Sequence, residues 1–119
     1  QRRRVINITS ISAEMTSPER LDYCMSKAGL AAFTQGLTLR LASAGIDVFE
    51  VRPGIIRSDM TAKVSEKYDR LIGEGLVPAG RWGEPDDIGR IAAALAGGGF
   101  GFATGSIIKA DGALSVARL

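Results

Sequence analysis

The sequence predicts an α/β fold in which three parallel strands are flanked by helices. Three short runs rich in β-branched and apolar residues, at 4–9, 46–51 and 104–110, alternate with longer stretches of helical periodicity. A strand, a helix and a second strand joined in this order form a right-handed unit with parallel strands. Because 45% of the 119 residues are apolar, the chain can bury one core, and a single domain over 1–119 is expected.

The first strand is followed by the longest predicted helix. The run "RVINIT" at residues 4–9 has the β-branched side chains of a buried strand. Ser17 and Pro18 then match the cap and the first position of a helix. This helix is expected to run to about Ala44, because Gly45 supplies a left-handed stop.

The long helix carries two apolar stripes. One consists of Leu30, Phe33, Leu37 and Leu41, and the other of Ala28, Ala32, Leu39 and Ala42. Two apolar sides predict burial against the sheet on one side and against another helix, such as one from a second copy of the chain, on the other.

The second strand and a helical excursion come next. The run "IDVFEV" at 46–51 predicts a strand, which Pro53 and Gly54 break. Residues 59–80 show weak helical periodicity loosened by glycines. Segments of this kind serve as substrate lids, so a lid is predicted over 59–80.

The last helix and strand complete the predicted fold. A helix is expected to begin at Pro85, with Asp86 and Asp87 suited to its positive N-terminal end. The glycines at 97–99 end this helix, and "TGSIIKA" at 104–110 predicts the final short strand.

The amino-acid composition excludes several kinds of chemistry. The chain has no histidine, which excludes Ser-His-Asp and Cys-His nucleophile relays and any histidine-based metal site; no metal is expected. Its single cysteine, Cys24, permits no internal disulfide and is interpreted as a packing residue. Acid–base chemistry must therefore fall to Tyr, Lys, Asp or Glu.

Charge and hydropathy patterns exclude two kinds of partner. The net charge of +2 is too small to predict nucleic-acid binding, and the arginines at 2–4 are interpreted as a solvated end. No apolar run approaches the roughly 18 residues that a membrane-spanning helix requires. Neither nucleic acid nor membrane is therefore an expected partner, and a cytoplasmic location is predicted by default.

A tyrosine–lysine pair is the first candidate for catalysis. In "LDYCMSKAGL" Tyr23 precedes Lys27 by four residues, a spacing that places both side chains on one face of a helix. A phenol is ordinarily a poor proton carrier at neutral pH, since its pKa is about 10. One cation at roughly 4 Å contributes about 4 kcal/mol at an effective dielectric near 20, which favours the phenolate. A tyrosine tuned in this way can exchange a proton with a carbonyl or alcohol oxygen, although the spacing by itself also fits an ordinary half-exposed pair.

Two further positions fall where open α/β sheets bind ligands. Ser10 ends the first strand, and Pro53-Gly54 follows the next parallel strand. The carboxyl ends of neighbouring parallel strands meet at one edge of the sheet, where such folds hold their ligands. Ser10, Tyr23 and Pro53-Gly54 are therefore expected to lie around one site.

Together these motifs resemble the second half of a short-chain dehydrogenase/reductase. The motifs are "NITS", Tyr23-x-x-x-Lys27, "RPGIIRSDM" and "RWGEPDDIG…ATGSIIKADG", and they are most similar to the 3-oxoacyl-acyl carrier protein reductase-like branch. The resemblance implies the C-terminal half of a Rossmann-type doubly wound parallel sheet. It also implies an NAD(P)-dependent oxidoreductase that interconverts a small-molecule ketone and a secondary alcohol.

The resemblance assigns a role to each candidate residue. Tyr23 would be the general acid/base, Lys27 would support it while binding the nicotinamide ribose, and Ser10 would hold and polarise the substrate oxygen. Pro53, Gly54 and Ile56 would line the nicotinamide.

Ser58 completes the set implied by the resemblance, because its hydroxyl would bond the carboxamide or a nearby phosphate. The family more often has threonine at this position. The cofactor would be NADP or NAD, and the acyl carrier protein reductase likeness tilts the expectation toward NADP.

The resemblance also implies a missing part and an assembly. The glycine-rich dinucleotide-binding turn of the family is not found before Arg4, so the N-terminal half of the domain is expected to be absent. An alternative prediction is therefore a catalytically incompetent fragment that acts only in folding or oligomerisation. A homo-oligomer, either a dimer or a tetramer, is expected.

Four further residues have structural interpretations. Asn7 is expected to be a structural hydrogen-bonding group in the first strand, and Trp82 a packing residue at a helix start. Lys109 is expected to project from the last strand into solvent. Ala113 replaces the second glycine of the family's Asp-Gly-Gly turn, which predicts altered geometry there.

Overall fold

The computed structural model describes residues 3–119, and its centre is a parallel sheet of three strands. These strands are β1 (Arg3–Ile8), β2 (Ile46–Pro53) and β3 (Ile107–Ala110), in the order β1-β2-β3. Asn7 lies opposite Glu50 in the register of β1 and β2. The predicted α/β class with three parallel strands is confirmed.

β1 is shifted by one residue from the prediction, and two other strand boundaries differ by two or three residues. β2 continues to Pro53, because the amide of Gly54 still donates to Ala110 O at 3.0 Å. β3 begins only at Ile107, because a short 3₁₀ turn (Gly101–Ala103) precedes it. Thr104 Oγ1 accepts the amide of Val48 at 2.9 Å in place of a ladder bond.

The long helix α1 (Leu21–Leu41) lies between two 3₁₀ turns, Pro18–Arg20 and Ala42–Ala44. Gly45 follows in the left-handed conformation, at φ 73°, and ends the helical segment as predicted. Ser17 and Pro18 hold the predicted cap and first positions, but of the turn Pro18–Arg20, and the Ser17 side chain makes no capping bond. The main chain turns tightly there instead: Ser17 O accepts the amide of Arg20, and the α-helix starts later.

The buried face of α1 is not the one that the apolar stripes predicted. Its buried residues are Ala31, Thr34 and Thr38, whereas Phe33 is 60% and Leu39 82% exposed. The sheet face beneath α1 is polar, and Asn7 Nδ2 donates to Thr34 Oγ1 at 3.0 Å. Short hydroxyl side chains satisfy these polar groups, which confirms the structural role of Asn7.

The opposite face of the sheet holds the main hydrophobic core. Helix α4 (Pro85–Ala96) starts at the predicted proline and packs there. Phe49 and Val51 of β2 lie in one buried cluster with Leu95 of α4. Partly buried residues surround this cluster; among them are Ile6, Ile88, Ile91 and Ile108.

The predicted lid region contains two short helices, α2 (Asp59–Ala62) and α3 (Ser65–Gly73). A second hydrophobic cluster, formed by Ile72, Val77 and Trp82, lies beneath it. Trp82 is therefore a buried packing residue, as predicted.

The arginines at the start of the chain differ from one another. Arg2 lies outside the described residues, and Arg3 is exposed. Arg4 is half-buried and donates to Ala96 O at 3.2 Å, so the prediction of a solvated end is wrong for this residue. Over residues 3–119, no helix is long and apolar enough to span a membrane.

Candidate active site

Tyr23 and Lys27 lie on one face of α1 near its start, and both side chains are half-buried. Lys27 Nζ is 5.6 Å from the centroid of the Tyr23 ring. Arg20 Cζ lies 4.1 Å from the same centroid. The predicted side-by-side placement of Tyr23 and Lys27 is confirmed, and Arg20 is a second cation beside the same ring. The sequence analysis did not predict the contact of Arg20 with Tyr23, although side chains three residues apart also meet on a helix.

The ammonium group of Lys27 is available to a ligand. Among residues 3–119 it forms no ion pair and no hydrogen bond to the protein. A half-buried ammonium group loses hydration, and hydrogen-bond acceptors compensate for that loss. Hydroxyl oxygens of a bound ligand would supply them.

Ser10 lies directly beyond the end of β1 and is buried. The amide of Thr9 still donates to Val51 O at 2.9 Å, so Ser10 stands beside the end of β2. Its hydroxyl oxygen accepts the amide of Ser12 at 3.0 Å, within a 3₁₀ turn (Ile11–Ala13) that contacts α1. The strand end and this turn therefore bring Ser10 to the helix that carries Tyr23.

Pro53 and Gly54 end β2 at the same edge of the sheet. A Cβ atom on Gly54 would lie 2.6 Å from Asp111 Cβ, closer than real contacts allow. Glycine is therefore required here by the close approach of the segment after β3. As predicted, Ser10 and Pro53-Gly54 share the carboxyl edge of two paired strands.

Ile56 and Ser58 follow in the loop after β2. Ile56 is half-buried and forms a bridge with Gly83, the residue after Trp82. Ser58 is exposed and caps α2, with its Oγ 3.4 Å from the amide of Thr61 that it accepts. The structure thus gives the Ser58 hydroxyl a capping role that the sequence did not predict.

A group of charged residues near Ser10 was also missed. Glu50 and Arg52 are buried and bond to each other, and Arg52 also pairs with Glu14 at 3.0 Å. Lys109 is exposed, as predicted, and its ammonium group also pairs with Glu14 at 3.1 Å. One signal was available: opposite charges two residues apart in a strand lie on the same face.

These contacts shift two titrations. Burial alone would raise the pKa of Glu14, but hydrogen bonds from Lys109 and Arg52 lower it below its ordinary 4.5. Hydrogen bonding to Glu50, opposed by burial and reinforced by Glu14, raises the pKa of the Arg52 guanidinium. Both groups are therefore held in their charged forms.

The larger of two cavities does not coincide with the candidate residues. It has a volume of about 460 Å³ and lies around Arg81, Arg90 and Asp111, with Ile56 as its only candidate residue. A groove of about 290 Å³ lies beside Cys24, between the turn after Ser10 and the start of α1. In the described part of the chain no three His, Cys, Asp or Glu residues group as metal ligands.

Comparison with known proteins identifies a family for this chain. The profile of the family described as "Enoyl-(Acyl carrier protein) reductase" matches residues 1–115. The 3-oxoacyl-[acyl-carrier-protein] reductase FabG of Rickettsia felis is 40% identical over 111 residues, 93% of this chain and 46% of that protein.

Solved structures show the same relationship. A 3-oxoacyl-[acyl-carrier protein] reductase from Brucella melitensis, in complex with NAD, has a TM-score of 0.96 and 68% identity, covering 98% of this chain and 46% of the other. A gluconate 5-dehydrogenase from Burkholderia cenocepacia, in complex with NADP and tartrate, has a TM-score of 0.89 and 26% identity. That match covers 97% of this chain and 46% of the other.

The chain belongs to the short-chain dehydrogenase/reductase family, and its three strands correspond to one half of that family's Rossmann-type sheet. Within the family it is similar to 3-oxoacyl-acyl carrier protein reductases, as the sequence motifs predicted. The chain spans about half, 46%, of the length of these relatives.

Proposed function

We propose that this chain carries the catalytic residues of an NAD(P)-dependent oxidoreductase that interconverts a ketone and a secondary alcohol. The observation that carries the proposal is the pairing of Tyr23 with Lys27, whose Nζ lies 5.6 Å from the ring centroid. The pair lies on the helix that contacts the turn after Ser10. The substrate class that best fits the relatives' names is a 3-oxoacyl thioester.

Three side chains have roles in this proposal. Tyr23 donates a proton to the carbonyl oxygen in reduction and removes it from the alcohol in oxidation. Lys27 stabilises the phenolate form of Tyr23. Its ammonium group, which forms no ion pair or hydrogen bond among the described residues, also binds ligand hydroxyls. Ser10 holds the substrate oxygen with its hydroxyl group, which the Ser12 amide orients at 3.0 Å.

The residues after β2 fit the nicotinamide end of a dinucleotide. Gly54 has no side chain, Pro53 and Ile56 are half-buried apolar surfaces, and Ser58 offers a hydroxyl at a helix start. A bound nicotinamide would supply the hydride chemistry, which amino-acid side chains do not provide. NADP or NAD would serve, and the acyl carrier protein reductase likeness favours NADP.

Two further features belong to the proposal. Residues 59–80 act as the substrate lid, attached to the site by the bridge between Ile56 and Gly83. The exposed outer face of α1, with Phe33 and Leu39, packs against a second copy in a dimer or tetramer. A cytoplasmic location remains the expectation.

A second candidate function is association without catalysis. It is favoured by the same exposed apolar face. An association module has no reason to bind a dinucleotide. Nucleotide binding therefore separates the two candidates.

Calorimetric titration of the chain with NADPH and with NADH tests the proposal. Saturable binding of either nucleotide is expected, and Lys27→Ala should weaken it, because the substitution removes a cationic donor from the site. Lys67→Ala, an exposed lysine on α3, is the matched control and should bind like the parent chain. A folded chain that binds neither nucleotide would favour the association module.

A further inference from the structure

A line of charged and polar side chains crosses the carboxyl ends of all three strands. Lys109 of β3 donates to Glu14 Oε2 at 3.1 Å, and Arg52 Nη1 of β2 donates to Glu14 Oε1 at 3.0 Å. Arg52 also donates two hydrogen bonds to the Glu50 carboxylate, from Nε at 2.6 Å and from Nη2 at 3.1 Å. The hydroxyl of Thr9, just beyond β1, donates to the same Glu50 carboxylate. We call these five residues the strand-end network.

Stability alone does not explain the strand-end network. Glu50 is 0% and Arg52 8% exposed, so two full charges have been removed from water. Burial of an ion pair costs several kcal/mol per ion, and well-packed apolar residues of similar volume are often at least as stabilising. Buried polar contacts do restrict the geometry of the groups that they join.

The geometry that the network restricts is that of Ser10. Thr9 precedes Ser10, and Glu14 follows the 3₁₀ turn Ile11–Ala13, so the network holds both ends of the segment between them. Within this segment Ser10 Oγ accepts the amide of Ser12 at 3.0 Å, and Ser10 O accepts the amide of Ala13 at 2.9 Å. The Ser10 hydroxyl forms no hydrogen bond with the five network residues. Its position therefore depends on the two anchored ends.

We propose that Glu14 and Glu50, joined through Arg52, are positioning residues that orient the Ser10 hydroxyl. What Ser10 does with its hydroxyl rests on the proposed function. The orientation itself is a property of the chain alone. Neither carboxylate acts on the substrate.

Glu14 offers the more informative substitution. It is the more exposed of the two acids in the network. Its substitution leaves the main-chain hydrogen bonds of the turn in place; among them, Ile11 O accepts the amides of Glu14 and Met15. Replacing Glu14 should therefore loosen the turn without unfolding the chain. Replacing Glu50 would leave Arg52 buried with one partner fewer, which risks global destabilisation.

Amide hydrogen exchange, followed residue by residue by NMR in the chain without ligand, tests the proposal. In Glu14→Gln the Ser12 amide should exchange about tenfold faster, since the charge-assisted bonds that anchor the turn are lost. The amides of Val48 and Phe49 in β2 should exchange as in the parent chain. Glu66→Gln, an exposed acid on α3, is the matched control and should change neither.

A double variant makes the test specific for positioning. Ser10→Ala removes the acceptor of the Ser12 amide directly, so adding Glu14→Gln to Ser10→Ala should accelerate Ser12 exchange little further. An unchanged Ser12 amide in Glu14→Gln would overturn the proposal. So would a uniform acceleration across β1, β2 and the turn, or full additivity in the double variant.

The exchange experiment needs neither nucleotide nor turnover. A chain that fails to bind NADPH or NADH would therefore overturn the proposed function, while Ser12 exchange would still decide the positioning role. If nucleotide binds and turnover is measurable, Glu14→Gln should lower kcat and leave the KM for the nucleotide unchanged. A rise in that KM alone would contradict the assignment to Ser10.

Discussion

At the scale of single residues, the proposed chemistry depends most directly on the Tyr23 oxygen. Tyr23→Phe removes that oxygen and keeps the ring that Arg20 and Lys27 flank. The fold should therefore survive, while turnover should fall by at least about a hundredfold through loss of the general acid/base. Steady-state rates and circular dichroism of both proteins check this. Tyr68→Phe, which also loses only a hydroxyl, should remain active; normal turnover of Tyr23→Phe would remove Tyr23 from the mechanism.

Ala113 is a residue under backbone strain. Its φ is +72°, the left-handed region that a Cβ atom disfavours, and in the described chain it is the only non-glycine residue there. Ala113→Gly should relieve this strain and raise the free energy of unfolding by up to about 1 kcal/mol, after allowance for the greater freedom of the unfolded chain. Denaturant unfolding measures the difference. Ala117→Gly is the control, and equal effects of both substitutions would contradict the assignment of strain.

The Asp87 carboxylate makes stability depend on pH. Hydrogen bonds from Arg81 and from the Glu84 amide lower its pKa from 3.8 to about 2. A lowered pKa in the folded state stabilises the protein above pH 3.8, and this contribution is lost as the pH falls toward 2. The free energy of unfolding should therefore fall less steeply over this range in Asp87→Asn than in the parent chain. The same slope in Asp87→Asn as in the parent chain would contradict the prediction.

At the scale of elements, Trp82 joins the lid helices to the loop after β2. Its Nε1 donates to Asp69 Oδ1 of α3 at 2.7 Å, and its ring meets Tyr68 edge to face at 5.9 Å between centroids. Arg57 lies over the same ring at 4.8 Å. The segments that hold Ile56 and α3 are therefore attached to one buried side chain.

Asp69→Ala should loosen this attachment. The substitution leaves the Trp82 Nε1 donor without its carboxylate acceptor, which should lower the free energy of unfolding by about 1 to 2 kcal/mol. Trp82 is the only tryptophan of the chain, so tryptophan fluorescence reports on the surroundings of this one side chain. The emission of Trp82 should shift to longer wavelength, and its ring should be quenched more strongly by acrylamide. Glu66→Ala on the same helix serves as control, and unchanged emission in Asp69→Ala would mean that α3 is held by other contacts.

At the scale of the whole molecule, α1 exposes large apolar side chains on the face that points away from the sheet. Met25, Phe33 and Leu39 of α1 are at least 60% exposed, although the helix packs on the sheet with its opposite face. Large exposed apolar side chains on one helix face mark an interaction surface. The expected partner is a second copy of the chain.

Light scattering of the chain in solution should therefore give a mass of two or four copies. Phe33→Lys combined with Leu39→Lys should reduce the mass to that of one copy, because two charges would be buried in the interface without partners. Val116→Lys, another exposed apolar residue, is the control and should leave the mass unchanged. A single-copy mass for the parent chain would contradict the prediction.

The sequence predicted the features that depend on local order along the chain. The strands, the glycine that ends the long helix and the pairing of Tyr23 with Lys27 follow from side-chain periodicity and backbone preference over a few residues. Membership of the short-chain dehydrogenase/reductase family followed from motifs in the same way. The boundary errors at Ser17 and residue 104 arose where a tight turn or a side-chain bond replaced regular structure.

Two features were decided only by tertiary structure: which face of α1 is buried, and where the charges of β2 and β3 go. Periodicity favours the most apolar face, but the sheet beneath α1 presents Asn7 and Glu50, so threonines pack there instead. Glu50 and Lys109 belong to different strands, and their common neighbours exist only once β1, β2 and β3 are aligned. Local sequence determined the elements and the pairing of Tyr23 with Lys27, because those interactions span a few residues. Residues far apart in sequence meet only in the folded sheet, and there long-range polar contacts outweighed the local apolar pattern.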